Sequence, residues 1–192
     1  MKLVSATSML LIALALATPA GAANQYETID YYIQQMIAHS SADDVTGVQT
    51  FREQLENLRR PETEDSARAR PLRQQGSEQL ARNNFKEALA AFRQAFIADP
   101  ADPETAGQLS LAYLRLHRLK EAERLAVYAL SLAPTQSATW LTLGEVYGQT
   151  GDATRAGGAF ANAYRFAKDP APIAEQLQRL TIANNAAAIQ TG

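Results

Sequence analysis

The chain is predicted to be all-α: a solenoid of three helical hairpins, preceded by a further helical hairpin and closed by a capping helix. Three observations carry that expectation. Thirty-seven of the 192 residues are Ala and only five are Val, a balance that favours helix over sheet. Apolar residues recur at helical spacing in the flanks as well as in the middle. And residues of matching size recur 34 positions apart: Pro100 and Pro134; Ala88, Ala122 and Ala156; Ala95, Ala129 and Ala163; Leu109 and Leu143; Tyr113 and Tyr147. Self-similarity at one such period is the signature of a stacked repeat.

Residues 1–22 form the first unit. Lys2 and the amino terminus supply a positive start, Met9 to Ala17 is an apolar run, and Thr18-Pro19 breaks it. Ala20-Gly21-Ala22 then has the A-x-A form of an export-signal cleavage site. An uncleaved membrane anchor is the alternative, but a span needs about 20 apolar residues and this run is much shorter. The mature chain is expected to begin at Ala23 or Asn24 and to be soluble outside the cytoplasm, in the periplasm or fully secreted. With no Cys in the sequence, disulfides, thiolate–metal sites, cysteine nucleophiles and a cysteine-linked lipid are excluded. Stability must come from packing.

Next, Ile29, Ile33, Met36 and Ile37 form one helical stripe and Val48, Phe51, Leu55 and Leu58 another, bracketing the polar turn Ser40–Asp44. Residues 23–60 are therefore a helical hairpin ahead of the repeats. Residues 61–68 are charged and carry no apolar stripe, which reads as a linker. Three repeats follow, at 69–102, 103–136 and 137–170. Small residues at Gly76, Ser110 and Gly144 let the helices of each hairpin approach, and Phe85, Phe92, Trp140, Tyr147 and Phe160 fill the space between them. Pro100 and Pro134 stop the second helices. Asp102-Pro103 offers an N-cap followed by proline at the first helical position, and Gly151-Asp152 a turn and an N-cap. Asn84 and Glu87 have the spacing of a capping box. Gly157-Gly158 costs the last of these helices about 1 kcal/mol per glycine relative to Ala, so it is expected to be the weakest. Beyond Pro170 and Pro172, the stripe Ile173, Leu177, Leu180 is the expected cap, within a closing segment 171–192 whose end frays.

The third unit reads Trp140-x-x-Leu143-Gly144-x-x-Tyr147, then Gly151-Asp152, Ala156, Phe160 and Ala163. That closely resembles the tetratricopeptide repeat pattern. The first unit keeps Gly76, Phe85, Ala88, Phe92, Ala95 and Pro100, but has Leu72 and Gln79 where the pattern has Trp and Tyr. The second departs at Ala106 and Ala126. The third has Lys168 in place of proline. The resemblance implies a groove lined by the first helix of each repeat, holding an extended peptide or a helix of another protein. Positions offset from the packing residues point there: Arg73, Ser77, Leu80 and Ala81; Gly107, Leu111, Leu114 and Arg115; Leu141, Glu145, Gly148 and Gln149. An apolar patch of Leu111, Leu114 and Leu141 rimmed by Arg73, Arg115 and Glu145 reads as an interaction site. The alternative is that the N-terminal hairpin or the C-terminal helix covers it. The family's clamp of Lys/Arg and Asn around a terminal carboxylate is not expected, because no Asn lines the groove.

No catalytic, cofactor or metal site is expected. His39 with Asp43 and Asp44 lacks a third ligand, and His117 lies beside Arg118 and Lys120. Glu121 and Glu123 point to different helix faces. Gly144, Gly148 and Gly151 have the wrong spacing for a phosphate loop, and no Lys follows. Lys plus Arg number 18 against 20 Asp plus Glu, which is no footprint for nucleic acid. Arg68, Arg70 and Arg73 near a helix start are either a solvated face or a patch for an acidic partner. The expected function is a non-enzymatic scaffold of the bacterial cell envelope, binding another protein during assembly or secretion. The alternatives are self-association, through the leucine patch or through Tyr26, Tyr31 and Tyr32, and an accessory subunit docking onto an enzyme of cytochrome maturation or peptidoglycan.

Overall fold

The computed structural model describes residues 20–175 and 177–178. The expected leader lies outside them except for Ala20–Ala22, which begin helix α1, and Leu180 and the closing tail also lie outside. The helices are α1 (Ala20–Ser41), α2 (Val45–Glu56), α3 (Ser66–Ala81), α4 (Phe85–Ala98), α5 (Pro103–Arg115), α6 (Leu119–Leu132), α7 (Ser137–Gln149) and α8 (Ala153–Phe166). Residues 171–175 are helical too, and no strand occurs among the described residues.

Local chemistry sets the helix starts. Asp44, Asp65, Asp102 and Asp152 are N-caps whose carboxylates accept from Gly47 N, Arg68 N, Glu104 N and Arg155 N, satisfying donors that a first turn leaves free. Residues 66–68, expected to be linker, are the first turn of α3. The Asp65 cap starts that helix before any apolar stripe begins. Asn84 departs from the capping-box expectation, because its side-chain amide donates to Gln79 Oε1 at 2.8 Å and makes no cap bond. Gly151 turns the chain at φ 81°, a left-handed conformation that glycine adopts without Cβ strain.

Within the repeats, α3–α4, α5–α6 and α7–α8 are hairpins stacked in order. The close approach rests on size complementarity. A Cβ on Gly76 would lie 2.5 Å from the Phe92 ring, and one on Gly144 would overlap the Phe160 ring. The second repeat has two small residues, Ser110 and Ala126, at the equivalent positions. Trp140 is fully buried and donates from Nε1 to Pro134 O at 2.7 Å. First helices α3, α5 and α7 neighbour one another along one side, the inner face.

The N-terminal hairpin does not sit ahead of the first repeat. Helix α1 lies along α8 and reaches α6, the second helices of repeats three and two, and α2 also touches α6. Ile29, Ile33, Met36 and Ile37 bury their stripe in one cluster with Val127, Leu130, Tyr147, Ala156, Ala159 and Ala163. Gly158 makes this possible. A Cβ there would collide with the Ile37 carbonyl oxygen and sit 2.5 Å from Ser41 Oγ. Asn162 Nδ2 donates to Met36 O at 3.2 Å and Gln34 Nε2 to the Tyr147 hydroxyl at 2.9 Å. The equivalents of Gly158 and Asn162 are Arg124 and Tyr128 in repeat two and Ala90 and Gln94 in repeat one, so the glycine on which α1 rests belongs to the third repeat alone. Helix α8, expected to be the weakest because of its glycines, is the platform for the hairpin. Ile173 and Leu177 pack against the same cluster from the C-terminal side.

The two glycines of α8 are therefore not equivalent. Gly158→Val is expected to destabilise the protein by about 1–3 kcal/mol, the usual cost of overpacking, and to raise hydrogen exchange throughout α1. Gly157 has open space around its Cβ position, so Gly157→Ala should stabilise by roughly 0.5–1 kcal/mol. Denaturant unfolding of both variants checks the pair.

Candidate functional site

The inner face is built from α3, α5 and α7, and a chain of polar contacts knits these helices together. Ser77 Oγ donates to Gln108 Oε1 at 2.7 Å, and Gln108 Nε2 to Glu104 Oε1 at 2.8 Å. Gln136 Nε2 reaches the other oxygen of Glu104 at 3.1 Å, and Thr139 Oγ1 donates to Gln136 Oε1 at 2.6 Å. Arg73 pairs with Asp102 across α3 and α5 at 3.5 Å. Arg115 on α5 pairs with Glu145 on α7 at 2.7 Å, and the Glu145 side chain is only 6% exposed. Gly107 lets α5 and α7 approach, since a Cβ there would lie 2.6 Å from Thr139 Oγ1.

This geometry divides the expected groove residues into two sets. Leu114 and Leu141 are buried at 1% and 8% exposure. Leu114 packs in a cluster with Leu109, Tyr113 and Val146, and Leu141 belongs to the cluster that Ile173 and Leu177 join. Gly107 and Glu145 are buried as well. The expected exposed patch of three leucines is thus corrected: two of them serve the core, Leu114 beside Val146 of the neighbouring first helix and Leu141 in the cluster that Ile173 and Leu177 join. Leu80, Leu111, Arg73, Ser77 and Arg115 remain half-buried, and Ala81, Gly148 and Gln149 are exposed. Together they form a narrow mixed face with two half-buried leucines, flanked by cations already held by carboxylates. Glu104, Gln108, Gln136 and Thr139 were not singled out from sequence. Their signal is weak, since polar residues near helix starts read as ordinary capping.

The outer side carries a second polar feature. A crevice of about 450 Å³ lies where α1 passes α6, lined by Tyr26, Asp30, Lys120, Glu123 and Arg124. Burial, reinforced by Asp30 and Glu123, pushes the Tyr26 hydroxyl up to about 12. Burial and Asp99 do the same for Tyr128, to about 12, and burial raises Tyr147. The Arg155 guanidinium lies over the Tyr147 ring at 4.3 Å and is 2.6 Å from Asp152. His39 Nδ1 is 2.8 Å from Asp44 Oδ2, and its ring stacks on Phe51. His117 is exposed in a turn. No group of three or more His, Cys, Asp or Glu among the described residues is placed to hold a metal ion, and no described helix is long and apolar enough to cross a membrane.

No protein-family model matches the chain, and no curated protein is significantly similar to it. Solved structures are similar. The first TPR of Spaghetti (RPAP3), bound to the HSP90 peptide SRMEEVD, matches at TM-score 0.56 and 18% identity, over 65% of this chain and 99% of that one. The Sgt2 TPR domain from Aspergillus fumigatus matches at 0.52 and 22%, over 64% and 85%. The Yersinia enterocolitica type III secretion translocator chaperone SycD matches at 0.54 and 13%, over 66% and 96%. The fold is a tetratricopeptide-like helical solenoid.

The raised tyrosines predict an alkaline limit to stability. Their folded values exceed the ordinary value of 10.0, so the fold favours the neutral phenol. That contribution is complete below pH 10 and is lost as pH rises towards about 12. Stability measured by denaturant titration should fall across that window, and Tyr128→Phe should flatten the slope.

Proposed function

We propose that this chain is a non-enzymatic scaffold that holds an extended peptide or a helix of another protein along the inner face of α3, α5 and α7. The observation that carries this reading is where the hairpin docks. Helix α1 is held by Gly158, Asn162 and Tyr147 on the outer side, while Leu80, Leu111, Ser77 and Gln149 stay accessible on the inner one. Solenoids use such inner faces for binding, and the RPAP3 structure holds a peptide. The pairing of Arg73 with Asp102 and of Arg115 with Glu145 leaves neither cation free, which favours a ligand recognised by apolar contact and main-chain hydrogen bonds over capture of a terminal carboxylate.

The scaffold is assigned to the bacterial cell envelope, in assembly or secretion. The support is the leader-like sequence of residues 1–22. Docking onto an enzyme of cytochrome maturation or peptidoglycan is a special case, decided by the identity of the partner.

Photo-crosslinkers at Leu111 and Gln149, with a control on the outer side at Gly157, test the reading in the native host. One recurrent envelope protein trapped at both inner positions, and not at 157, is the expected result. Leu111→Glu should then weaken its binding by about tenfold or more, equivalent to at least about 1.4 kcal/mol, at unchanged helicity. A partner trapped only at Gly157, or a folded Leu111→Glu variant that binds normally, contradicts it.

A further inference from the structure

The charges of this chain are segregated in a way that the inner-face reading leaves unused. The hairpin α1–α2 carries Glu27, Asp30, Asp43, Asp44, Glu53 and Glu56 against one cation, Arg52. The first repeat, α3–α4, carries Arg68, Arg70, Arg73, Arg82, Lys86 and Arg93 against Glu78 and Glu87. These oppositely charged units do not neutralise each other within the chain. The hairpin's principal contacts outside itself are with α8 and α6, and those of the first repeat are with α5.

Each surface also exposes apolar groups beside its charges. On the hairpin, Tyr31 is 53% and Val45 48% exposed, and Tyr31 packs with Tyr32 and Phe51 at ring separations of 5.8 and 6.1 Å. Glu27 lies one turn before Tyr31, and Glu53 is exposed on α2. On the first repeat, Lys86, Ala90, Arg93 and Ile97 fall at i, i+4, i+7 and i+11 of α4, which places them on one face. All four are exposed, Ile97 at 46%. Lys86 and Arg93 form no ion pair with any described residue.

An aromatic face flanked by carboxylates is a good receptor for a guanidinium. The chain already uses that combination internally, where Arg155 lies over Tyr147 and pairs with Asp152 and Glu123. We propose that the acidic, aromatic outer face of the α1–α2 hairpin docks on the basic face of α4 in a second copy of this chain. Arg93 and Lys86 meet Tyr31, Glu27 and Glu53, with Ile97 and Val45 adding apolar contact. The two patches differ, so the contact is reciprocal in a two-fold dimer or repeats head to tail in an open chain.

Sedimentation velocity of the mature chain tests this, at several concentrations and from about 0.01 M to about 1 M salt, over which the screening length falls from about 30 Å to about 3 Å. Mass should rise with concentration at low salt and return to that of the monomer at high salt. Lys86→Glu/Arg93→Glu makes both patches acidic and Glu27→Lys/Glu53→Lys makes both basic. Each variant alone should self-associate at least about tenfold more weakly, since like charges then face each other. An equimolar mixture of the two should associate again. A wild-type chain that stays monomeric at low salt overturns the proposal, as does association that both reversals leave unchanged, or a mixture of folded variants that fails to associate. None of these four residues lines the inner face, so peptide binding there is a separate result.

Discussion

Two helices approach most closely where one of them carries little or no side chain. Beside Gly107 between α5 and α7, the architecture here depends on three such places. Gly76 makes room for the Phe92 ring and Gly144 for the Phe160 ring, closing the first and third hairpins. Gly158 makes room for the backbone of α1. Around each, dispersion and apolar burial accumulate over short distances, and the surrounding alanines keep the helices close along their length. Without Gly158, the α1 stripe of Ile29, Ile33, Met36 and Ile37 would have no flat surface to cover.

That third contact gives the molecule its two sides. With α1 on α8 and α6, part of the outer surface of repeats two and three is covered, and Asn162, Tyr147 and Ser41 fix the register of the docked helix through hydrogen bonds. The inner face is stiffened differently, by polar links running from Ser77 through Gln108, Glu104 and Gln136 to Thr139 and by the Arg115–Glu145 pair. Charge-assisted and linked hydrogen bonds of this kind hold neighbouring first helices at one spacing. A preorganised inner face loses less entropy when it binds an extended chain.

Much of this was legible in the residues. The period of 34, the hairpin boundaries around Pro100 and Pro134, and the caps at Asp102 and Asp152 follow from local chemistry, which acts over a few residues. What escaped is long-range. Gly157-Gly158 read as a helix defect, because propensity is local and α1 lies far away in sequence. The useful signal was the contrast between Gly158 and Asn162 in one repeat and Arg124 and Tyr128 in the previous one. Leu114 and Leu141 were read as groove residues because they lie outside the intra-hairpin packing pattern, but Leu114 packs with the next repeat and Leu141 in the cluster that the C-terminal residues Ile173 and Leu177 join. The start of α3 was missed for the opposite reason: a single cap at Asp65 outweighs the lack of an apolar stripe in the first turn.

The two-sidedness of the molecule rests on where the hairpin sits. Because the chain has no Cys, thiols can be introduced at chosen positions without background reaction. Ser41 Oγ lies 3.5 Å from the carbonyl oxygen of Thr154, so cysteines placed at 41 and 154 should be joined rapidly and within one chain by a short bifunctional thiol reagent. A pair at 41 and 86, on the first repeat, should not be joined within one chain. Failure of the 41–154 link in a folded protein, or an intramolecular 41–86 link, would place the hairpin elsewhere and remove the basis for an outer side that seats the hairpin and an open inner one.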